Sequence, residues 1–210
     1  MTRRITALGV AALAIAAAAA AQANRQPSPN SSSATQVGGK YVTPQGGNAP
    51  RYEGGKWIEI AYGRPIKRGR DLWGTGAEYG KKLNDGAPVW RAGANQTTQL
   101  KTEAPLVING RTFAPGTYTV FIDLKPNNWT FILSSWPAQE REDPNDKTAL
   151  FGAFGYTPDK DVVRAPMTMA TLPFVVDQLT WDFVDMTDAG GKLAIMWDRV
   201  VASVPFRIGS

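Results

Sequence analysis

A two-residue alternation of apolar and polar side chains constrains this chain more than any other feature. In "KWIEIAY", Ile58, Ile60 and Tyr62 fall on one face, and Trp57, Glu59 and Ala61 on the other. "TYTVFIDL" sets Tyr118, Val120 and Ile122 against Thr117, Thr119, Phe121 and Asp123. "NWTFIL" aligns Trp129, Phe131 and Leu133, "QLTWDFVD" aligns Leu179, Trp181 and Phe183, and "KLAIMWDRV" aligns Leu193, Ile195 and Trp197. Only pleated strands with one face buried use such a pattern. The β-branched and aromatic content agrees.

The turns fall between these runs. Asn109-Gly110 separates "PLVI" from "RTF", a strong signal for a tight hairpin. Pro115-Gly116, Pro126-Asn127 and Ala189-Gly190-Gly191 mark further reversals. The best helical stretch is a turn or two around Ala77 to Leu83. The expected fold is therefore all-β: a single antiparallel β-sandwich, jelly-roll-like or similar, with little helix. Two stretches depart from the alternation. Ser135 to Ala149 is polar, contains two prolines and reads as a long surface loop. Tyr62 to Thr98 holds more Gly, Arg and aromatic residues than a plain hairpin needs.

The chain starts with Arg3 and Arg4, then an apolar run from Ile5 to Ala21, then Ala21-Gln22-Ala23. A basic start, a short apolar core and a small-x-small site describe a cleaved export signal over residues 1–23. No later run is long enough to span a bilayer, so the mature chain is expected in the periplasm or outside the cell. Residues 24–50 are rich in Ser, Gly, Pro, Gln and Asn and poor in large apolar side chains. They read as a disordered lead, because little buried surface would offset the entropy of ordering them. Residues 51–210 remain for the sandwich domain.

Two absences narrow the chemistry. The chain has no Cys and no His. Thiol catalysis, thiolate metal sites, imidazole bases and the usual zinc ligands are excluded. No cofactor and no metal is expected. The net charge of +5 is uneven: Arg64 to Lys101 holds eight Lys and Arg against three acids, and Thr102 onward nine against thirteen. So short a basic section on an exported chain argues against nucleic acid and for a small anionic ligand or an acidic partner.

The segments "YGRP", "GRDLWG", "VWRAGANQTT", "APGTYTVF", "WTFIL" and "DVVRAPM" occur in one order over about Trp57 to Ile208. In this the chain resembles the bacterial family known as domain of unknown function 2911. The resemblance implies an all-β, extracytoplasmic domain without an established activity. It places Arg64, Arg70, Trp73, Trp90, Arg91, Gly93, Asn95 and Thr98 on the family's characteristic positions. The connection "TGAEYGKKLNDGAP" is longer here than is typical of the family.

Two readings of these residues stand side by side. Arg64, Arg70 and Arg91 suit a clamp for a carboxylate or phosphate, stacked on Trp73 or Trp90. The same guanidiniums suit ties from loops to sheet carbonyls. Trp90 with Asn95, Thr97 and Thr98 suits a sugar platform, an indole face beside amide and hydroxyl tips. It equally suits a strand entering the core. Trp90 and Asn95 are the favoured ligand contacts, Arg91 the favoured anchor, and Asn95 is expected to matter little for stability. The function expected is a non-catalytic exported or envelope-associated binding domain for a glycan or small anion. The alternative is a carboxylate-dependent, glycan-directed hydrolase drawing on Asp71, Glu78, Asp85, Glu140 or Glu142. "EREDPNDK" reads as a solvated acidic loop rather than a calcium loop, since it lacks the glycine and ligand spacing of one.

Overall fold

The structure is a computed structural model that describes residues 26–47 and 49–209. The export signal expected over residues 1–23 lies outside the described residues. Twelve strands occur among the rest: β1 (Asn30–Val37), β2 (Lys40–Val42), β3 (Arg51–Glu53), β4 (Lys56–Gly63), β5 (Thr98–Thr102), β6 (Leu106–Ile108), β7 (Arg111–Phe113), β8 (Gly116–Asp123), β9 (Thr130–Ser134), β10 (Asp161–Pro166), β11 (Thr168–Thr187) and β12 (Gly190–Ile208). A six-stranded sheet runs β1-β4-β5-β8-β9-β10, and a four-stranded sheet runs β11-β12-β6-β7. The short pair β2-β3 stands apart. All strand pairings are antiparallel.

The two larger sheets form the sandwich the alternation calls for. Ile58, Ile60 and Tyr62 of β4 meet Leu179 and Trp181 of β11 and Leu193, Ile195 and Trp197 of β12 in one core. The outer face of β8 and β9 is covered as well. Phe121 and Ile132, on the second phase of their strands, join Val89, Leu150, Ala153 and Tyr156 in a smaller core. Residues 149–156 thus lie over the sheet rather than beyond its end.

Asn109 and Gly110, both at positive φ (49° and 74°), form the tight turn between β6 and β7. Among the described residues, helix is confined to single turns at Gly76–Glu78, Lys81–Asn84 and Pro158–Lys160. No helix among the described residues is long and apolar enough to cross a membrane.

The disordered lead expected over residues 24–50 needs correction. Asn30–Val37 is strand β1, paired with β4 from Asn30–Gly63 to Val37–Lys56. The entropy argument failed because an edge strand draws its stability from main-chain bonds to its neighbour. It needs few apolar anchors, and Val37, fully buried, is one. Thr35 suits its strand position as well. The folded body therefore begins before Arg51.

Candidate functional site

Trp90 is paired by its backbone with Ile122: each N–H donates to the other's carbonyl at 2.9 Å. The pairing carries its indole into the core, where it is 1% exposed. Its ring stacks on Trp197 at 6.1 Å with planes 12° apart. Trp73, half-buried, sets its edge against both, and its ring centroid lies 4.9 Å from that of Trp129. The indole of Trp129 donates to the Tyr79 hydroxyl at 2.9 Å. The sugar platform expected of Trp90 is therefore not available at the surface. Four interlocked indoles lie in the core instead, Trp73 and Trp90 from the segment between β4 and β5, Trp129 from the approach to β9 and Trp197 from β12.

The three arginines have separate partners. Arg64 donates from Nε to Leu179 O (3.0 Å) and from Nη2 to Thr180 Oγ1 (3.1 Å), tying its loop to β11. Arg70 closes its own turn on Lys67 O (3.1 Å) and Ile66 O (2.6 Å) and lies over the Trp197 ring at 5.8 Å. Arg91 donates from Nη1 to Asn95 O at 2.9 Å, lies 3.8 Å from Asp85 Oδ2, and sits over Phe154 at 5.5 Å. Burial lowers the Arg91 pKa, against the pull of Asp85 and Glu142. None of the three lines a cleft described below. They act as ties, and the shared anion clamp does not assemble.

The remainder of "VWRAGANQTT" is close-packed. Thr97 Oγ1 lies 2.9 Å from Leu150 O and 3.0 Å from Gly152 O, fastening the covering loop. Thr98 is fully buried on β5, and its hydroxyl has no hydrogen-bond partner among the described residues. A Cβ on Gly63 would stand 1.8 Å from Ala94 O, so glycine is required where the two segments cross. Asn95 alone is exposed. It holds φ at 60°, and its amide donates to Ser28 O at 3.1 Å. With Gln96, Glu140, Glu142 and Phe151 it lines a cleft of about 530 Å³.

The acids of the basic section are each held by a cation. Asp71 accepts from Gly74 N (3.2 Å) and faces Lys82 (3.4 Å), Glu78 pairs with Lys81 (2.8 Å), and Asp85 faces Arg91. In the long loop, Asp143 and Asp146 accept from backbone N–H groups two residues on, of Asn145 and Thr148. Among the described residues no group of three or more acids is placed to hold a metal ion.

A second cleft, about 460 Å³, lies at the edge where β1, β4, the β2–β3 pair and the end of β11 meet. Tyr41, Tyr52 and Trp57 line it with Gln36, Thr187 and Asp188. Trp57 is 50% exposed and Tyr41 74%. Tyr41 and Tyr52 meet edge to face at 5.2 Å. Tyr52 is fixed: its hydroxyl accepts from Gly39 N at 3.0 Å, and a Cβ on Gly39 or Gly55 would stand 2.6 Å from its ring.

The model of a family described as "Protein of unknown function (DUF2911)" matches residues 47–206. The chain belongs to the DUF2911 family. No curated protein and no solved structure matches it. The DUF2911 match takes in Tyr52 and Trp57 and leaves Tyr41 outside.

The aromatic cleft of this DUF2911 chain was half visible in the sequence. A tryptophan on the outward phase of "KWIEIAY" was the available signal. Tyr41 carries no such signal, because the composition of residues 24–50 reads as a disordered lead.

Proposed function

We propose that this DUF2911 chain is an exported, non-catalytic binding domain whose ligand is a glycan held at Tyr41, Tyr52 and Trp57. The observation that carries the reading is the exposure of Trp57 and Tyr41 within one cleft of about 460 Å³. Large aromatic faces left in water at a concave site are a standing cost, which a ligand with an apolar face removes. Sugars have such a face, and Gln36, Thr187 and Asp188 supply the polar tips that read hydroxyls. The edge-to-face contact of Tyr41 with Tyr52 and the glycines around Tyr52 hold those two rings in place before binding, which limits the entropy lost. Export rests on the basic start, apolar core and small-x-small site of residues 1–23. Mass spectrometry of the protein recovered from its host should find the precursor less those 23 residues. Binding is tested by titrating soluble oligosaccharides of glucose, galactose and N-acetylglucosamine against the parent and Trp57→Ala.

A second reading has one observation in its favour. Glu140 and Glu142 line the same cleft as Asn95 and Gln96. Glycoside hydrolysis needs two carboxyl groups about 5 Å or roughly 6.5–9.5 Å apart. Release of reducing ends from those oligosaccharides, abolished by Glu140→Gln or Glu142→Gln, would favour it over binding alone.

A further inference from the structure

The ladder between β11 and β12 is interrupted beside the arginine-rich loop. Thr171 pairs with Val200, and the next pair is Val176 with Asp198. Four residues, Leu172, Pro173, Phe174 and Val175, therefore stand opposite Arg199 alone. They bulge from an edge strand. Phe174 is 57% exposed and Val175 47%. Arg199 donates from Nη1 to Pro173 O at 3.2 Å, so the bulge is held in shape at its base.

The flank of the bulge is basic. The loop after Gly63 docks on β11 just beyond it: Lys67 N donates to Asp177 O (2.6 Å) and Arg68 N to Asp177 Oδ1 (3.1 Å). Arg68, Arg70 and Arg199 are exposed there. The two neighbouring acids are engaged, Asp177 by that N–H and Asp198 by Lys67 Nζ at 2.8 Å.

From this juxtaposition we infer that the Leu172–Val175 bulge, with Arg68, Arg70 and Arg199, is a docking site for an anionic lipid surface. The inference is independent of the aromatic cleft. Phe174 and Val175 enter the boundary between headgroups and acyl chains, and the guanidiniums bind lipid phosphates. The complementarity is of both kinds at once, apolar tip to acyl chain and arginine to phosphate. A bulge offers no groove for a peptide. Pro173 and the broken ladder also blunt the edge against pairing with a second copy of the chain.

The test uses the chain from Asn24, which contains every described residue. It is sedimented with vesicles of equal parts phosphatidylglycerol and phosphatidylcholine, and with phosphatidylcholine alone, at low and high salt. Binding is expected to the anionic vesicles only and to weaken with salt. Phe174→Ser combined with Val175→Ser should lower partitioning about tenfold or more, with a cooperative thermal transition retained. Arg68→Asn should lower it about fivefold, the worth of one interfacial cation. Asparagine suits the positive φ of that position (47°), so its fold is kept. No binding, equal binding to both vesicles, or full binding by the double variant would overturn the inference. So would a dimer in sedimentation velocity that the double variant dissolves while vesicles capture nothing.

Discussion

Arg91 reaches back over its own turn to Asn95, its Nη1 donating to the Asn95 carbonyl at 2.9 Å. The side chain is 14% exposed, and Gly152 gives it room: a Cβ there would stand 2.7 Å from Nη1. One guanidinium thus joins the "RAGAN" turn to the covering loop. Arg91→Ala should lower stability by about 1–3 kcal/mol, because the Asn95 carbonyl loses its charged donor and Phe154 the guanidinium over its ring. Arg91→Lys should recover little, since an ammonium cannot reproduce the fork. Urea unfolding of both variants measures this.

Asn95 separates backbone from side chain. At φ 60°, alanine there should cost about 1–2 kcal/mol through the backbone alone. Asn95→Gly removes the amide without that strain. The expectation that Asn95 matters little for stability should hold for the glycine variant and fail for the alanine one. Equal melting of the two would show that the turn relaxes.

The strands, their inward faces and the Asn109-Gly110 turn were legible because alternation and turn chemistry are local. The lead was misread because composition reports buried surface and not main-chain pairing, which β4 supplies to β1. The role of Trp90 was misread for a related reason. An indole is equally at home on a surface platform and in a core, and only the meeting of β12's Trp197 with Trp90 decides between them. Of the three arginines, Arg64 finds its carbonyl partner 115 residues away, beyond any spacing argument, whereas Arg70 and Arg91 bond carbonyls three or four residues along their own turns.

The indole cluster should dominate stability. Trp90→Ala and Trp197→Ala each remove a buried ring stacked on the other. Each should cost roughly 3–5 kcal/mol. Because the two are in contact, the double variant should cost less than their sum. Denaturant titration of the singles and the double checks both points.

Alkaline pH should act through Tyr156. Its hydroxyl donates to Asp161 Oδ2 at 2.7 Å, and Arg164 Nη1 lies 2.8 Å from the same oxygen. Burial first, then the hydrogen bond to Asp161 and its charge, push the phenol above its ordinary 10.0. The folded state therefore keeps a proton that the unfolded chain loses above pH 10.0. This contribution is whole below that pH and declines above it. Tyr156→Phe should show a shallower loss of stability from pH 10.0 upward. Matching slopes for parent and variant would remove Tyr156 from the account.

The most direct measurement is calorimetric titration of the oligosaccharide panel into the parent, Trp57→Ala and Tyr41→Ala, with thermal melting of each. Tyr41 is largely in water, so removing it should shift stability by no more than about 0.5 kcal/mol, whereas Trp57 is half-buried and its removal should cost about 1–2 kcal/mol. The account predicts that the parent binds at least one oligosaccharide and that Trp57→Ala loses that binding while still melting as a cooperatively folded domain. A parent that binds none of them, or a Trp57→Ala variant that binds as the parent does, would contradict it.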